Sequence, residues 1–302
     1  MNNRYLYLEK CKGLKLYKNL ILENSTNPKL HIFRLLSGTA DVNDSYKKKK
    51  YKFRRNYLSF TYTENNSLIN TKNILSPFDN ENTLGDLNEI FGNKYKNNTL
   101  FSKVEGEIIQ CLIANKDCRY KESFVHLYRL IECITYAIPL LYARKSKEYI
   151  KTYEWLKSCF NNQSAGELDF FKKFVSVIFS NEDFFKSTIE ISIDNVDNEI
   201  DDGSKEQLKK LIIKIATVNN KTILKETVND GDYEFTFTFI NFFPFLINLR
   251  NRYFHLHQGG WVENVSYIDT EYPEILFKSI IDKGINWIAI ILFEILKIDL
   301  EK

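Results

Sequence analysis

The chain has 302 residues, of which 44% are hydrophobic and 15% aromatic, and its formal net charge is +3. This length and apolar content allow one large domain or two small ones with a packed core, and they argue against global disorder. The charge is unevenly placed. Residues 1–64 carry 14 Lys and Arg against 5 Asp and Glu, a balance of +9, whereas the remainder carries 28 against 34, a balance of −6. The basic end predicts an anionic partner near the N-terminus.

The cysteines and the missing motifs narrow the class of protein. Five scattered cysteines with no C-x-x-C pair argue against a disulfide framework and a zinc site, and they favour a reducing, cytoplasmic setting. We see no secretion signal and no P-loop, dinucleotide-binding, zinc-protease or nucleophile-elbow motif, so we expect no cofactor and no metal. The most apolar stretch, residues 285–298, is interrupted by Glu294 and is too short to span a bilayer. We expect it to be a buried or interface helix.

The first hundred residues predict strands followed by a linker. Residues 29–36 mix apolar and polar side chains over the length of a strand, residues 51–55 alternate cleanly, and residues 57–63 continue the alternation. Residues 64–100 are rich in Asn and contain Pro77, Gly85 and Gly92. This composition indicates a loop or linker with a short helix over residues 84–91.

From residue 101 onward the pattern is helical. We predict helices over residues 101–115, 120–146, 147–160, 168–179, 204–218, 235–254 and 271–298. Pro139 should kink the second of them, and Ser204 opens a sequence that resembles a capping box. The helix over 235–254 should end at the glycines that follow at 259 and 260. Residues 219–234 are a loop or a short hairpin.

The expected fold class is therefore α+β. A small β-rich N-terminal region with an Asn-rich linker, residues 1–100, precedes an all-α helical bundle, residues 101–302.

Residues 249–257 read Leu-Arg-Asn-Arg-Tyr-Phe-His-Leu-His and hold two of the four histidines. An arginine that is always charged can clamp a phosphate, and a histidine near its working pKa can move a proton at neutral pH. Arg250 and His255 thus supply what cleavage of RNA by its own 2′-hydroxyl needs, with no metal. The alternative is structural, because cations in the last turn of a helix are favoured by the macrodipole at about 0.3–1 kcal/mol each.

The order of Arg250, Asn251 and His255 resembles the R-x4-6-H signature of the HEPN superfamily, many of whose members are ribonucleases of microbial defence and toxin systems. The resemblance covers residues 101–302. It implies a homodimer with a composite site, in which His255 is the general acid or base and Arg250 binds the scissile phosphate. Asn251 would orient the phosphate or the imidazole. Arg250 and His255 diverge by about 140° in an ideal helix, which is compatible with a site shared between two chains.

Position 257 departs from one branch of that family. HEPN toxins paired with nucleotidyltransferase antitoxins carry a tyrosine that can be modified, where this chain has His257. We therefore expect no control through that tyrosine. His257 is either a second proton carrier or a helix-capping residue.

A second polar series lies in residues 124–132. His126, Arg129 and Glu132 recur every three residues and so share one flank of a helix. Glu132 or Arg129 would hold Arg250 or His255 in place. The alternative is an exposed ion pair between Arg129 and Glu132, worth only a few tenths of a kcal/mol.

The third candidate is a basic segment of seven cations in nine residues, interleaved with Tyr51 and Phe53. Its cations are Lys47, Lys48, Lys49, Lys50, Lys52, Arg54 and Arg55. Such a pattern suits the phosphates and stacked bases of RNA. A solvated strand edge that resists aggregation gives the same pattern.

The function we expect is a metal-independent endoribonuclease of a microbial defence or toxin system. It would act on RNA as a cytoplasmic homodimer, with a possible regulatory partner protein and no membrane association. The alternative is a catalytically inactive HEPN-like module that binds RNA or a partner protein.

Overall fold

The structure is a computed structural model that describes residues 4–59, 69–78, 82–92, 97–135, 137–145, 148–160, 167–193, 200–218, 221–229, 231–254, 265 and 273–300. Its helices are α1 (Pro28–Leu36), α2 (Thr71–Leu75), α3 (Leu84–Gly92), α4 (Asn98–Lys116), α5 (Tyr120–Thr135), α6 (Ala137–Lys145), α7 (Tyr149–Phe160), α8 (Glu167–Phe179), α9 (Asp202–Ile215), α10 (Phe242–Phe254) and α11 (Pro273–Leu300). Its strands are β1 (Tyr5–Glu9), β2 (Ala40–Asp44), β3 (Lys49–Lys52), β4 (Thr188–Ser192), β5 (Thr217–Val218), β6 (Lys221–Thr222) and β7 (Glu234–Thr238).

This element order confirms the α+β class, with a small β-containing N-terminal region followed mainly by helices. Strands β1, β2 and β3 form an antiparallel sheet in that order, and Val42 of β2 is paired with Tyr7 and with Tyr51. Strands β4 and β7 form a second antiparallel pair, and β5 with β6 a third. Strand β5 lies where the predicted helix over residues 204–218 was to end, and its pairing with β6 and the start of β7 at Glu234 place short strands at both ends of the segment left open as a loop or hairpin.

The described chain divides into two compact units. The first, called the N-terminal unit, comprises Met1–Asp117, Arg129–Ile134 and Ile285–Lys302. The second, called the central unit, comprises Cys118–Tyr128 and Thr135–Gly284. The predicted helical domain over residues 101–302 was to begin with α4 and to include α10. In the structure α4 lies in the N-terminal unit and α10 lies in the central unit.

Helix α1 replaces a predicted strand over residues 29–36. Asn27 caps the helix by accepting a hydrogen bond from the backbone N–H of Lys29, and Pro28 occupies the first helical position. All nine residues of α1 are buried, so the sequence lacks the apolar stripe by which a surface helix is recognised. Polar residues between the apolar ones produced the alternation that was read as a strand. In the structure they have buried hydrogen-bond partners; Arg34 Nε, for example, donates to Thr39 Oγ1 at 2.7 Å.

Strand β7 replaces the start of a predicted helix over residues 235–254. Phe235, Phe237 and Phe239 alternate with Thr236 and Thr238, and the three phenylalanines are buried. Period-two alternation of this kind is a strand pattern, and the helical period begins only at Phe242. Two further predictions, the strand over residues 57–63 and the helix end at glycines 259 and 260, fall partly or wholly outside the described residues. Residues 57–59 form a turn rather than a strand, and residues 60–63 and the glycines 259 and 260 lie outside the described residues.

The predictions for two helices have different outcomes. Helices α5 and α6, which adjoin residue 136 outside the described residues, cover the range of the single helix predicted over residues 120–146, and the kink at Pro139 stays a prediction. At α9 the cap is Asp201, whose carboxylate accepts the N–H of Ser204 at 2.7 Å. Ser204 itself was predicted to be the cap and instead lies in the first turn.

The apolar part of α11 belongs to the core of the chain. From Ile285 to Ile298 every apolar residue is 6% exposed or less. Within the N-terminal unit the Phe293 ring lies 5.0 Å from that of Phe78, and Asn286 donates to the carbonyl of Tyr57 at 2.7 Å. This stretch therefore offers no surplus apolar surface to a second chain. In the described part of the chain, no helix has the length and apolar content needed to cross a membrane.

Candidate active site

Helix α10 is fixed along its length by apolar packing in the central unit. Phe242, Phe243, Phe245, Leu246 and Leu249 are buried, and the Phe245 ring lies 4.7 Å from Phe237 of β7. On the polar side, Asn248 donates to the carbonyl of Ile215 at the end of α9, at 3.0 Å. The last turn of α10, which carries Arg250 and Asn251, therefore has a defined position within the unit.

The Arg250 side chain lies on an aromatic ring. Its guanidinium carbon is 4.6 Å from the centroid of Tyr128 on α5, a cation–π contact, and Nη1 donates to Oδ1 of Asn251 at 3.0 Å. Both contacts restrict the orientation of the guanidinium plane. A planar guanidinium group in a fixed orientation can donate two parallel N–H hydrogen bonds to two oxygens of one phosphate.

The end of α10 is also fixed by an aromatic cluster. Phe254 stacks on Phe124 with ring centroids 6.1 Å apart, and Tyr253 meets Phe277 edge-on at 4.9 Å. Burial raises the pKa of the Tyr253 phenol, a shift that nearby Lys121 opposes and Glu274 reinforces. Because α5 and α11 supply the partner rings, the helix end is held on two sides.

The chain after α10 is connected back to the helix. The carbonyl of Arg252 accepts a hydrogen bond from the N–H of Val265 at 2.8 Å, which caps one of the last carbonyls of the helix. Arg252 Nη2 makes a long contact of 3.5 Å with the carbonyl of Thr217. His255 and His257 lie outside the described residues.

Two aromatic residues of α5, Phe124 and Tyr128, contact α10 and lie four apart on one face. Arg129 pairs with Glu107 of α4 at 2.8 Å within the N-terminal unit, and Glu132 is exposed. The sequence analysis did not single out Tyr128 and so missed its contact with Arg250. The available signal was its spacing of four from Phe124, which places it on the apolar face beside the polar flank.

The basic segment forms a turn and the edge strand β3. Lys49 pairs with Asp117 at 2.6 Å and Lys50 with Asp41 at 3.4 Å. The interleaved aromatics are turned inward: Tyr51 and Phe53 are 1% and 7% exposed. They are therefore not available to stack on bases.

The remaining cations of the segment are at the surface. Lys47, Lys48, Lys52 and Arg54 are exposed, Arg55 is half-buried, and none of the first four makes an ion pair with a described residue. Phosphate binding by these cations stays a prediction.

Comparisons with family models, with curated proteins and with solved structures find no match to this chain. Among the residues that the structure describes, no group of three or more His, Cys, Asp or Glu is placed to hold a metal ion.

Proposed function

We propose that this chain is a metal-independent endoribonuclease whose site includes Arg250 and Asn251 of α10 and, from the sequence pattern, His255. The observation that supports the proposal is the placement of the Arg250 guanidinium, 4.6 Å from the Tyr128 ring and 3.0 Å from Asn251 Oδ1, in the last turn of a well-packed helix. A pre-positioned cation stabilises charge that develops on a phosphate more effectively than a mobile one.

In the proposed reaction the RNA supplies its own nucleophile. His255, as the neutral imidazole, takes the proton of a 2′-hydroxyl, and the 2′-oxygen attacks the adjacent phosphorus. The bond from phosphorus to the 5′-oxygen breaks, and that oxygen leaves with a proton from a second acid. Arg250 binds the non-bridging oxygens, and the products are a 2′,3′-cyclic phosphate and a 5′-hydroxyl.

The structure changes the role that we propose for Asn251. Because its amide oxygen accepts from Arg250, we assign it to positioning the guanidinium rather than the phosphate or the imidazole. The exposed cations Lys47, Lys48, Lys52 and Arg54 would add phosphate contacts away from the site.

The biological setting is part of the proposal. We propose a role in microbial defence or as a toxin, which rests on the resemblance of the Arg-Asn-x3-His pattern to the HEPN superfamily. We further propose a cytoplasmic location, which the five scattered cysteines without a C-x-x-C pair favour.

The decisive experiment incubates the purified protein with total RNA in EDTA. Wild-type protein should produce ends carrying 2′,3′-cyclic phosphate, whereas Arg250→Ala and His255→Ala should each lose cleavage with little change in the urea midpoint. Arg119→Ala, which removes a surface arginine of the same unit, is the matched control and should cut normally. Cleavage that survives both site substitutions, or that stops in EDTA, would contradict the proposal. RNA binding without any cleavage would favour the inactive module instead.

A further inference from the structure

Helices α7 and α8 of the central unit border an open groove with a volume of about 450 Å³. Its lining residues are Trp155, Ser158, Lys172, Lys173, Ser176 and Val177. The four residues from α8 are spaced by three and four and so lie on one flank of that helix. The groove thus has an indole on one wall and two ammonium groups on the other.

The indole is held in a fixed orientation. The Trp155 ring meets Phe174 of α8 edge-on, with centroids 4.7 Å apart and planes at 89°. Phe174 is fully buried, so it anchors the indole to the core of the unit. A rigid, half-buried indole is a good stacking partner because little conformational entropy is lost when a flat ligand binds.

Lys172 and Lys173, the two lysines that line the groove, form no ion pair with a described residue. These two lysines attract an anionic ligand, whereas a purely apolar peptide would gain nothing from them. Charge complementarity therefore favours an anionic ligand that also has flat aromatic groups.

We propose that this groove binds single-stranded RNA, with one base against Trp155 and the adjacent phosphates on Lys172 and Lys173. The inference deepens and rests on the proposed nuclease function, since it names the class of substrate as unpaired RNA. Bases in a duplex are stacked on one another and cannot reach the indole, whereas every base in a single strand has an accessible face. The expected preference is therefore for unpaired RNA with little dependence on sequence.

The test measures binding separately from cleavage. All variants are made in the Arg250→Ala background with EDTA present, and the probe is a fluorescein-labelled 12-nucleotide oligouridylate followed by anisotropy. Trp155→Leu should weaken binding by roughly 5- to 100-fold, and Trp155→Tyr should largely restore it, because stacking on an aromatic is worth about 1–3 kcal/mol per base. The double variant Lys172→Ser/Lys173→Ser should lower the dependence of log K on log salt by about 1.4, since each single-strand phosphate contact contributes about 0.7.

A matched control separates this site from bulk charge. Lys210→Ser/Lys221→Ser makes the same change in net charge on exposed lysines of the same unit outside the groove. It should leave the affinity and the salt slope close to those of the parent. Equal losses in both double variants, or no loss in either, would overturn the groove assignment. So would an altered sedimentation coefficient in the groove variants alone, which would show that a second copy of the chain occupies the groove.

The two proposals can fail independently. If the oligouridylate binds through the groove but wild-type protein never cuts RNA, the nuclease proposal fails and the groove assignment stands. If wild-type protein cuts RNA and the groove variants bind and cut normally, the groove assignment fails and the nuclease proposal stands.

Discussion

Tyr128 presents its ring to the guanidinium of Arg250 at 4.6 Å, and this contact is expected to position the arginine for its phosphate. Tyr128→Phe keeps the ring and should retain nearly full RNA cleavage. Tyr128→Leu removes the ring, and kcat should fall roughly 2- to 30-fold, because cation–π contacts contribute about 0.5–2 kcal/mol. KM should change little, since the arginine acts mainly on charge formed in the transition state.

The control for this prediction is Tyr46→Leu, which removes an exposed tyrosine of the N-terminal unit that is itself in cation–π contact with an arginine, Arg4. Urea midpoints of all three variants show whether folding is affected. Equal losses of kcat in Tyr128→Phe and Tyr128→Leu would mean that the hydroxyl matters and the ring does not.

The cysteines should differ sharply in reactivity. Burial raises the pKa of the Cys11 thiol to about 11, so only about one molecule in a thousand is a thiolate at pH 8. Cys111 is buried as well, whereas Cys118 is exposed at the turn before α5. Iodoacetamide at pH 8 should therefore modify Cys118 well before Cys11 and Cys111, as followed by peptide mass spectrometry. Labelling of Cys11 at the rate of Cys118 in folded protein would contradict the burial of that thiol.

At the scale of elements, the start of α1 depends on one side chain with two roles. Asn27 accepts the N–H of Lys29 at 3.1 Å, and its amide donates to the carbonyl of Phe91 in α3 at 2.9 Å. Asn27→Ala should reduce the free energy of unfolding by about 2–4 kcal/mol, because a cap is lost and a buried carbonyl loses its donor. Urea unfolding followed by circular dichroism measures the change.

Two comparisons sharpen this prediction. Asn27→Ser keeps a capping oxygen but cannot reach Phe91, so its loss should be intermediate. Asn70→Ala removes an exposed cap, that of α2, and should cost less than Asn27→Ala. If the two alanine variants are equally destabilised, the bond to Phe91 contributes nothing.

Helices could be predicted from the sequence where apolar residues recur at helical spacing along one face and polar residues occupy the other. Helices α7 and α8 match their predicted ranges within two residues, because each combines apolar and polar positions over three turns. Helix α11 matches as closely for another reason, because its apolar run is too long for a strand. Helix α1 was not recognised, because a fully buried helix has polar residues that are satisfied by tertiary partners. Strand β7 was merged with α10, because the aromatic run continues while its period changes from two to 3.6.

The candidate site was predictable only in part. Arg250 and Asn251 follow from a short local pattern, and the structure places them in the last turn of α10. The Tyr128 contact joins residues more than 120 positions apart, and helical spacing alone does not show which face of α5 meets α10. The inward orientation of Tyr51 and Phe53 was equally hidden, since strand alternation does not reveal which face is covered.

At the scale of the whole molecule, the proposed dimer needs an interface other than α11. The outer face of α7 is the strongest candidate among the described residues, because Tyr149, Ile150 and Tyr153 are 88%, 74% and 65% exposed. Tyr153 and Trp155 lie roughly 160° apart around an ideal helix, so this face is distinct from the α7–α8 groove. Ile150→Ser/Tyr153→Ser should shift sedimentation from dimer to monomer, whereas Leu16→Ser, at an equally exposed leucine, should not.

A composite site makes a sharper prediction than dimerisation itself. If each site takes its arginine from one protomer and its histidine from the other, mixing Arg250→Ala protein with His255→Ala protein after subunit exchange should restore cleavage. Random mixing should return up to roughly a quarter of wild-type activity, because half of the dimers are mixed and each has one complete site. The Ile150→Ser/Tyr153→Ser changes, added to both proteins, should abolish the recovery. If mixing restores nothing although exchange is complete, Arg250 and His255 act within one chain, and the five-residue spacing must be bridged by the path of the backbone after Phe254.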